Sequence, residues 1–190
     1  DRFDISAEEA DSLAFQLDNG INSPLTSSAG RMFDVAAALS GLRSEAVYDG
    51  QAACELEAVA EPAGRHYSFV IDRSSEPWVI DTRQLFRELM VDLDSGTGLG
   101  QVAGKFHTTM ALAVVETVSA LCEETAVSRV ALSGGVFQNE LLTNMVVDGI
   151  EAAGLTTYVH RRVPCNDGGI SLGQAVIAAN KVSLGSDPLT

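Results

Sequence analysis

The last third of the chain places the tightest constraint on its fold. Val127–Leu132 reads as a buried strand, Asn139–Ala153 as an amphipathic helix, Leu155–His160 as a second strand and Ile170–Asn180 as a second helix. Parallel neighbouring strands need a crossover of about a dozen residues or more, and a helix is the usual one. The alternation therefore predicts an α/β fold with a parallel or mixed sheet covered by helices.

The upstream patterns are mostly helical. Ser6 and Glu9 have capping-box spacing, which starts a helix over Ala7–Asp18, and Gly20 supplies its stop. Further helices are predicted over Gly30–Leu39 and Gln51–Ala60. Tyr67–Ile71 and Trp78–Ile80 read as a hairpin, and Thr82 as the cap of a helix reaching about Leu93. Asp94–Gly100 looks like the most flexible stretch. Gln101–Thr125 carries Val102, Phe106, Met110, Ala113, Val114, Val118 and Leu121 on one broad face, enough for a helix that crosses the domain. This divides the chain into a helical and hairpin region (1–100), a strand–helix core (101–181) and a short tail (182–190).

Charge narrows the function. Lys plus Arg is 12 against 26 Asp plus Glu, a net charge of −14. Such a surface repels phosphate backbones and anionic membrane, so neither nucleic acid nor a membrane is expected as partner. One small nucleotide held by backbone amides stays possible. The three cysteines, Cys54, Cys122 and Cys165, are odd in number and form no CxxC pair, which argues for a reducing, cytoplasmic setting and for buried thiols. The opening DRFDISAEEADS is no signal peptide and has no initiator Met, so the chain reads as a piece of something longer.

Four segments could carry chemistry. In Ser133–Asn139, SGGVFQN, a strand ends, Gly134 and Gly135 let the backbone turn, and a helix begins; amides at such a turn attract phosphate or ribose oxygens. Asn139 adds a donor and an acceptor. In Val163–Ile170 a second Gly-Gly turn carries Asp167, which can cap the next helix or coordinate a cation. Asn22–Asp34 places Thr26, Ser27 and Ser28 before a helix, with Gly30 leaving room for a ligand. Arg31 and Asp34 lie three apart, on one side of that helix. In Tyr48–Glu55, Asp49 or Gly50 could cap the helix that follows, and Gln51 or Glu55 could reach into a cleft. His66, His107 and His160 have no metal spacing, and His107 reads as a satisfied helix residue. No P-loop, zinc motif or nucleophile–base pair is present.

Four strings spread over residues 22–179, NSPLTSSAGRMFDVAAAL, YDGQAACELEA, VALSGGVFQNELL and HRRVPCNDGGISLGQAVIA, resemble the C-terminal part of the HypF carbamoyltransferases of NiFe-hydrogenase maturation. The TsaD family is related, but Phe137-Gln138 and Asn166–Gly169 are closer to HypF. The resemblance implies an actin-like (ASKHA) fold whose two lobes clasp a nucleotide, made from ATP as carbamoyl-adenylate. It implies transfer of the carbamoyl group to the C-terminal cysteine of a HypE-type partner. Gly134, Gly135 and Asn139 would then contact the adenylate and Asp34 the ribose, with Ser27, Gly30 and Arg31 lining the cleft. Asp167 would give one ligand to a divalent iron or zinc ion shared with the missing N-terminal part of the protein. The histidine motif that supplies that family's other metal ligands is not in this sequence, so this chain alone is expected to be inactive. A lobe of an actin-like kinase or ATPase, a threonylcarbamoyl transferase lobe, and a docking domain without catalysis are the alternatives.

Overall fold

The computed structural model describes residues 5–183. The elements are α1 (Ala7–Asp18), α2 (Ala29–Leu39), α3 (Gln51–Val59), β1 (Val70–Asp72), β2 (Val79–Asp81), α4 (Arg83–Asp94), α5 (Leu99–Thr125), β3 (Arg129–Leu132), α6 (Glu140–Ala152), β4 (Thr156–Val159) and α7 (Ile170–Ser183), with single 3-10 turns at Gly135–Gln138 and Asp167–Gly169. Every expected helix is present. The capping box forms as predicted: Ser6 Oγ accepts from Glu9 N–H at 3.2 Å, and the Glu9 carboxylate accepts from Ser6 N–H at 2.8 Å. The residues of the expected tail from 184 onward lie outside the described residues.

The sheet differs from expectation. β3 and β4 pair in parallel, Arg129 opposite Thr156 through Leu132 opposite Val159, with α6 as the crossover. The hairpin of β1 and β2 forms as expected, but as a separate antiparallel pair, so of the parallel or mixed sheet expected the described residues hold one parallel pair and one antiparallel pair that do not join. Local patterning specifies each pair, but not whether the pairs share a sheet. The strands are also shorter than their apolar runs. Tyr67 lies before β1 with its N–H donated to Thr109 Oγ1 of α5 at 2.8 Å, which anchors it to a helix rather than a ladder.

The core forms around α5, against which α3, α4 and α6 pack. Val102, Ala103, Phe106 and Met110 of α5 meet Phe33, Leu56, Leu85, Leu89, Leu142, Val146 and Ile150 in one cluster. The core thus draws on both sides of the division expected near residue 100. The first half of α5 is buried on most of its circumference, including Gly104, His107 and Thr109, where the segment after α3 crosses it; Glu61 N–H donates to Gly100 O at 2.9 Å. Toward its end α5 emerges, and Leu121 is exposed. Asp94–Gly100, expected as a flexible stretch, is a tight turn of Ser95–Gly98 between two helices. A polar cluster closes the α4–α5 side: Tyr67 Oη and Lys105 Nζ both donate to Asp92 Oδ2, at 2.8 and 2.7 Å. Burial opposes charge on Asp92, yet these donors outweigh it and hold the carboxyl below its ordinary pKa.

Two helices bury no side chain. α1 exposes Leu13, Phe15 and Leu17, and α7 exposes Leu172, Val176 and Ile177. Among the described residues, no helix is long and apolar enough to cross a membrane.

Candidate functional site

Three turns and one helix face surround a cavity of about 830 Å³. The first wall is the start of α2, where Ser28, Ala29, Gly30 and Arg31 line the cavity. Ser28 is the N-cap but makes no side-chain bond to the helix. The first-turn amides, which no helix satisfies internally, are therefore left to the cavity wall. Ser27, the hydroxyl expected in the cleft, is exposed and does not line it; Ser28 does. Asp34 also lines the cavity and accepts from Arg31 Nη1 at 3.0 Å.

The second wall is the SGGVFQN turn. Gly134 has φ of +113°, a conformation L side chains rarely adopt, so glycine is needed there. Its N–H donates to Cys165 O at 2.8 Å, which ties this turn to the third one. Gly135 has a different reason. A Cβ there would meet only Asn166 Cβ at 3.9 Å, so nothing within the described residues demands glycine, and the space is left to the cavity. At the third turn Asn166, not Asp167, is the cap: Asn166 Oδ1 accepts from Gly168 N–H at 3.1 Å. Asp167 is exposed at the cavity edge with its carboxylate free for other work.

The fourth wall comes from α3, where Asp49, Gly50, Ala53, Cys54 and Glu57 line the cavity. For this segment the sequence offered a helix cap at Asp49 or Gly50, or a reach into the cleft by Gln51 or Glu55. Gln51 and Glu55 do not line the cavity. They form a network in which Glu55 takes two bonds from Arg43, at 2.8 and 2.6 Å, and Gln51 takes Val47 N–H at 2.8 Å. That network holds the loop leading to Gly50. Cys54, expected to be buried, is exposed because its side of α3 faces the cavity rather than the core.

The start of α6 is closed. Leu141 N–H donates to Glu57 Oε1 and Leu142 N–H to Asn139 Oδ1, both at 2.8 Å. Asn139 lines the cavity, but its amide nitrogen also has a partner, His107 Nε2 at 3.0 Å. Asn139 thus shapes the wall, while the amide donors left for a ligand are those of the preceding turn and of α2. His107 is fully buried. Burial pushes its pKa below the ordinary imidazole value, against a smaller opposing push from its bond to Ala103 O and from Glu57.

The arrangement suits a nucleoside carrying one phosphate. Ala29, Ala53 and Val136 can supply apolar contact for a base, with the fully buried Phe33 behind them. The carboxylates of Asp34 and Asp49 can accept from sugar hydroxyls, and the α2 and Gly135–Val136 amides can receive an oxyanion. A metal fits less well. No three His, Cys, Asp or Glu side chains among the described residues are grouped to hold one, and Asp167 alone is a single hard oxygen ligand.

Comparison with known proteins follows this geometry. Residues 1–174 match the family described as "Carbamoyltransferase, Kae1-like Domain, second subdomain". A carbamoyltransferase HypF homolog of Cupriavidus necator is 34% identical over 98% of this chain and 49% of its own length. The carbamoyltransferase HypF of Rhodobacter capsulatus is 38% identical over 86% of the chain and 21% of its own. The crystal structure of full-length HypF in its phosphate- and nucleotide-bound form superposes with a TM-score of 0.89 at 38% identity, covering 94% of this chain and 23% of that one. That of T. kodakarensis HypF gives 0.76 at 29%, over 95% and 23%. The chain therefore spans half or less of the length of these relatives. With the family model covering nearly all of it and relatives above 30% identity along its length, the chain belongs to the HypF carbamoyltransferase family, as the second subdomain of its Kae1-like domain.

Proposed function

We propose that this chain forms one side of the nucleotide cleft of an ATP-dependent carbamoyltransferase, in an actin-like arrangement, and that the cavity holds the adenylate end of carbamoyl-adenylate. The acceptor is the C-terminal cysteine of a HypE-type protein. Its thiolate attacks the carbamoyl carbon, a C–S bond forms, and the C–O bond to phosphate breaks with its electrons leaving on AMP. Gly30, Arg31, Gly134 and Gly135 bound the phosphate side and Asp34 the ribose, with Ser27 just outside. Asp167 is the one carboxylate this chain would contribute to a divalent ion, whose remaining ligands come from elsewhere in the protein. The observation that carries this reading is the convergence of the Ser28–Arg31, Gly134–Gln138 and Asn166–Asp167 turns on one cavity. They are the same strings on which the family resemblance rests. The whole reaction belongs to a much longer protein, so the 190-residue chain alone is expected to transfer nothing.

The test uses Gly135→Val in the intact carbamoyltransferase. The position has room for a side chain as far as its own neighbours are concerned, and the isopropyl group would occupy the ligand's space. Carbamoyl transfer to a HypE-type acceptor should fall roughly a hundredfold or more, the cost of displacing a reacting group from its aligned position. Carbamoyl-adenylate formation should continue. Unchanged transfer would remove the cavity from the reaction.

A further inference from the structure

Among the described residues, His107 is a fully buried titratable group whose bonds reach the cavity wall without lining it. Its Nδ1 lies 2.8 Å from Ala103 O, and a carbonyl can only accept, so Nδ1 carries the hydrogen. In the neutral ring Nε2 is then bare, 3.0 Å from the Asn139 amide. At the other end Leu142 N–H can only donate, and it reaches Asn139 Oδ1 at 2.8 Å, which turns the Asn139 NH₂ toward His107. Two groups with a single possible role thus fix the direction of every bond between Ala103 and Leu142. The ring is also held edge to face against Phe33 of α2, centroids 5.2 Å apart. Phe33, Asn139 and Glu57 all line the cavity, and Glu57 of α3 is the charged group that acts on the ring from a neighbouring element.

We infer that His107 is a positioning residue for the nucleotide-facing turn: neutral, it holds Asn139 and the start of α6 in place, and a proton on Nε2 releases them. Protonation puts N–H against NH₂ at 3.0 Å. Either that contact opens, or Asn139 rotates and abandons Leu142 N–H. The sign follows from the depressed pKa. The bonded arrangement stays complete through the ordinary imidazole value of about 6.5 and fails only at lower pH, once the ring's own lowered pKa is passed. Its consequence for ligand affinity rests on the nucleotide reading above; the relay itself does not.

The experiment therefore has two arms. In the 190-residue chain, ¹⁵N NMR should find His107 as the Nδ1–H tautomer, and the Leu142 amide should exchange about tenfold faster once His107 titrates, the size of a lost N-cap. His107→Gln, which keeps an acceptor for Asn139 but cannot titrate, should stay protected at every pH, and His107→Leu should exchange fast at every pH. If His107 only fills space, His107→Leu keeps Leu142 protected, and the proposal is overturned. Should His107→Leu fail to fold, the wild-type titration against the flat His107→Gln profile decides alone. In the intact protein, AMP affinity should fall about tenfold across the same pH step in wild type and stay level in His107→Gln. A working Leu142 relay with no AMP binding in any form would sink the nucleotide reading and leave the relay standing. AMP binding with a Leu142 amide blind to pH would do the reverse.

Discussion

Gly104→Ala is expected to destabilise the chain by about 3 kcal/mol or more, read as a lower urea midpoint with an unchanged slope. On helix propensity alone the change should stabilise, since alanine is favoured over glycine by about 1 kcal/mol inside a helix. Sterics reverse the sign. A Cβ on Gly104 would lie 1.9 Å from Glu61 O and 3.3 Å from Ala63 Cβ, and a backbone carbonyl cannot rotate away. The segment must lift off α5, taking with it the Glu61 N–H bond to Gly100 O and the end of α3, whose Glu57 caps α6. Gly100→Ala is the control at the same crossing. Its Cβ would meet the Glu61 side chain at 2.7 Å, an exposed end that can swing aside, so its effect should be small.

Phe33→Ala is expected to cost about 3–5 kcal/mol, the range for removing a fully buried aromatic ring. Against a total stability of roughly 5–15 kcal/mol, that brings the chain close to unfolding. Phe33 packs edge to face on Phe106, centroids 4.9 Å apart at 89°, and on His107. It is also a cavity wall, so the same deletion should weaken ligand binding in whatever fraction stays folded. Phe33→Leu refills most of the volume and should recover most of the stability, while losing the ring contact with His107. Thermal unfolding of the two variants side by side separates burial from the aromatic geometry.

What the sequence made legible was local. The Ser6–Glu9 box, the glycine stops and the long apolar face of α5 each depend on residues a few positions apart, and these elements form as expected. Thr82 was a partial exception. It sits at the N-cap of α4 but makes no capping bond, and the helix-start amide that finds a side chain is Arg83 N–H, donated to Asp81 Oδ1. The pairing of neighbouring strands was legible, as a hairpin for β1 and β2 and as a parallel pair across a helix for β3 and β4, but whether the two pairs join one sheet was not. The glycine turns at Gly134–Gly135 and Asn166–Gly169 could be located in sequence, and both open on one cavity. Who lines the rest could not be read. The roles of Glu57 and His107 depend on partners 84 and 32 residues away, and the choice of Ser28 over Ser27 depends on where α2 begins. Asn139 looked like a free amide in the sequence; its cap on Leu142 N–H is local to α6, whereas its histidine partner becomes visible only when α5 lies against α6.

The proposed nucleotide site is formed by three turns that converge on one cavity. Hydrogen–deuterium exchange of the intact carbamoyltransferase, with and without AMP, tests this most directly. Slower exchange is predicted in three stretches at once, residues 26–35, 133–139 and 165–169, with the Tyr158–Arg162 surface unchanged. Protection that falls elsewhere in the protein and leaves all three stretches as they were would contradict it.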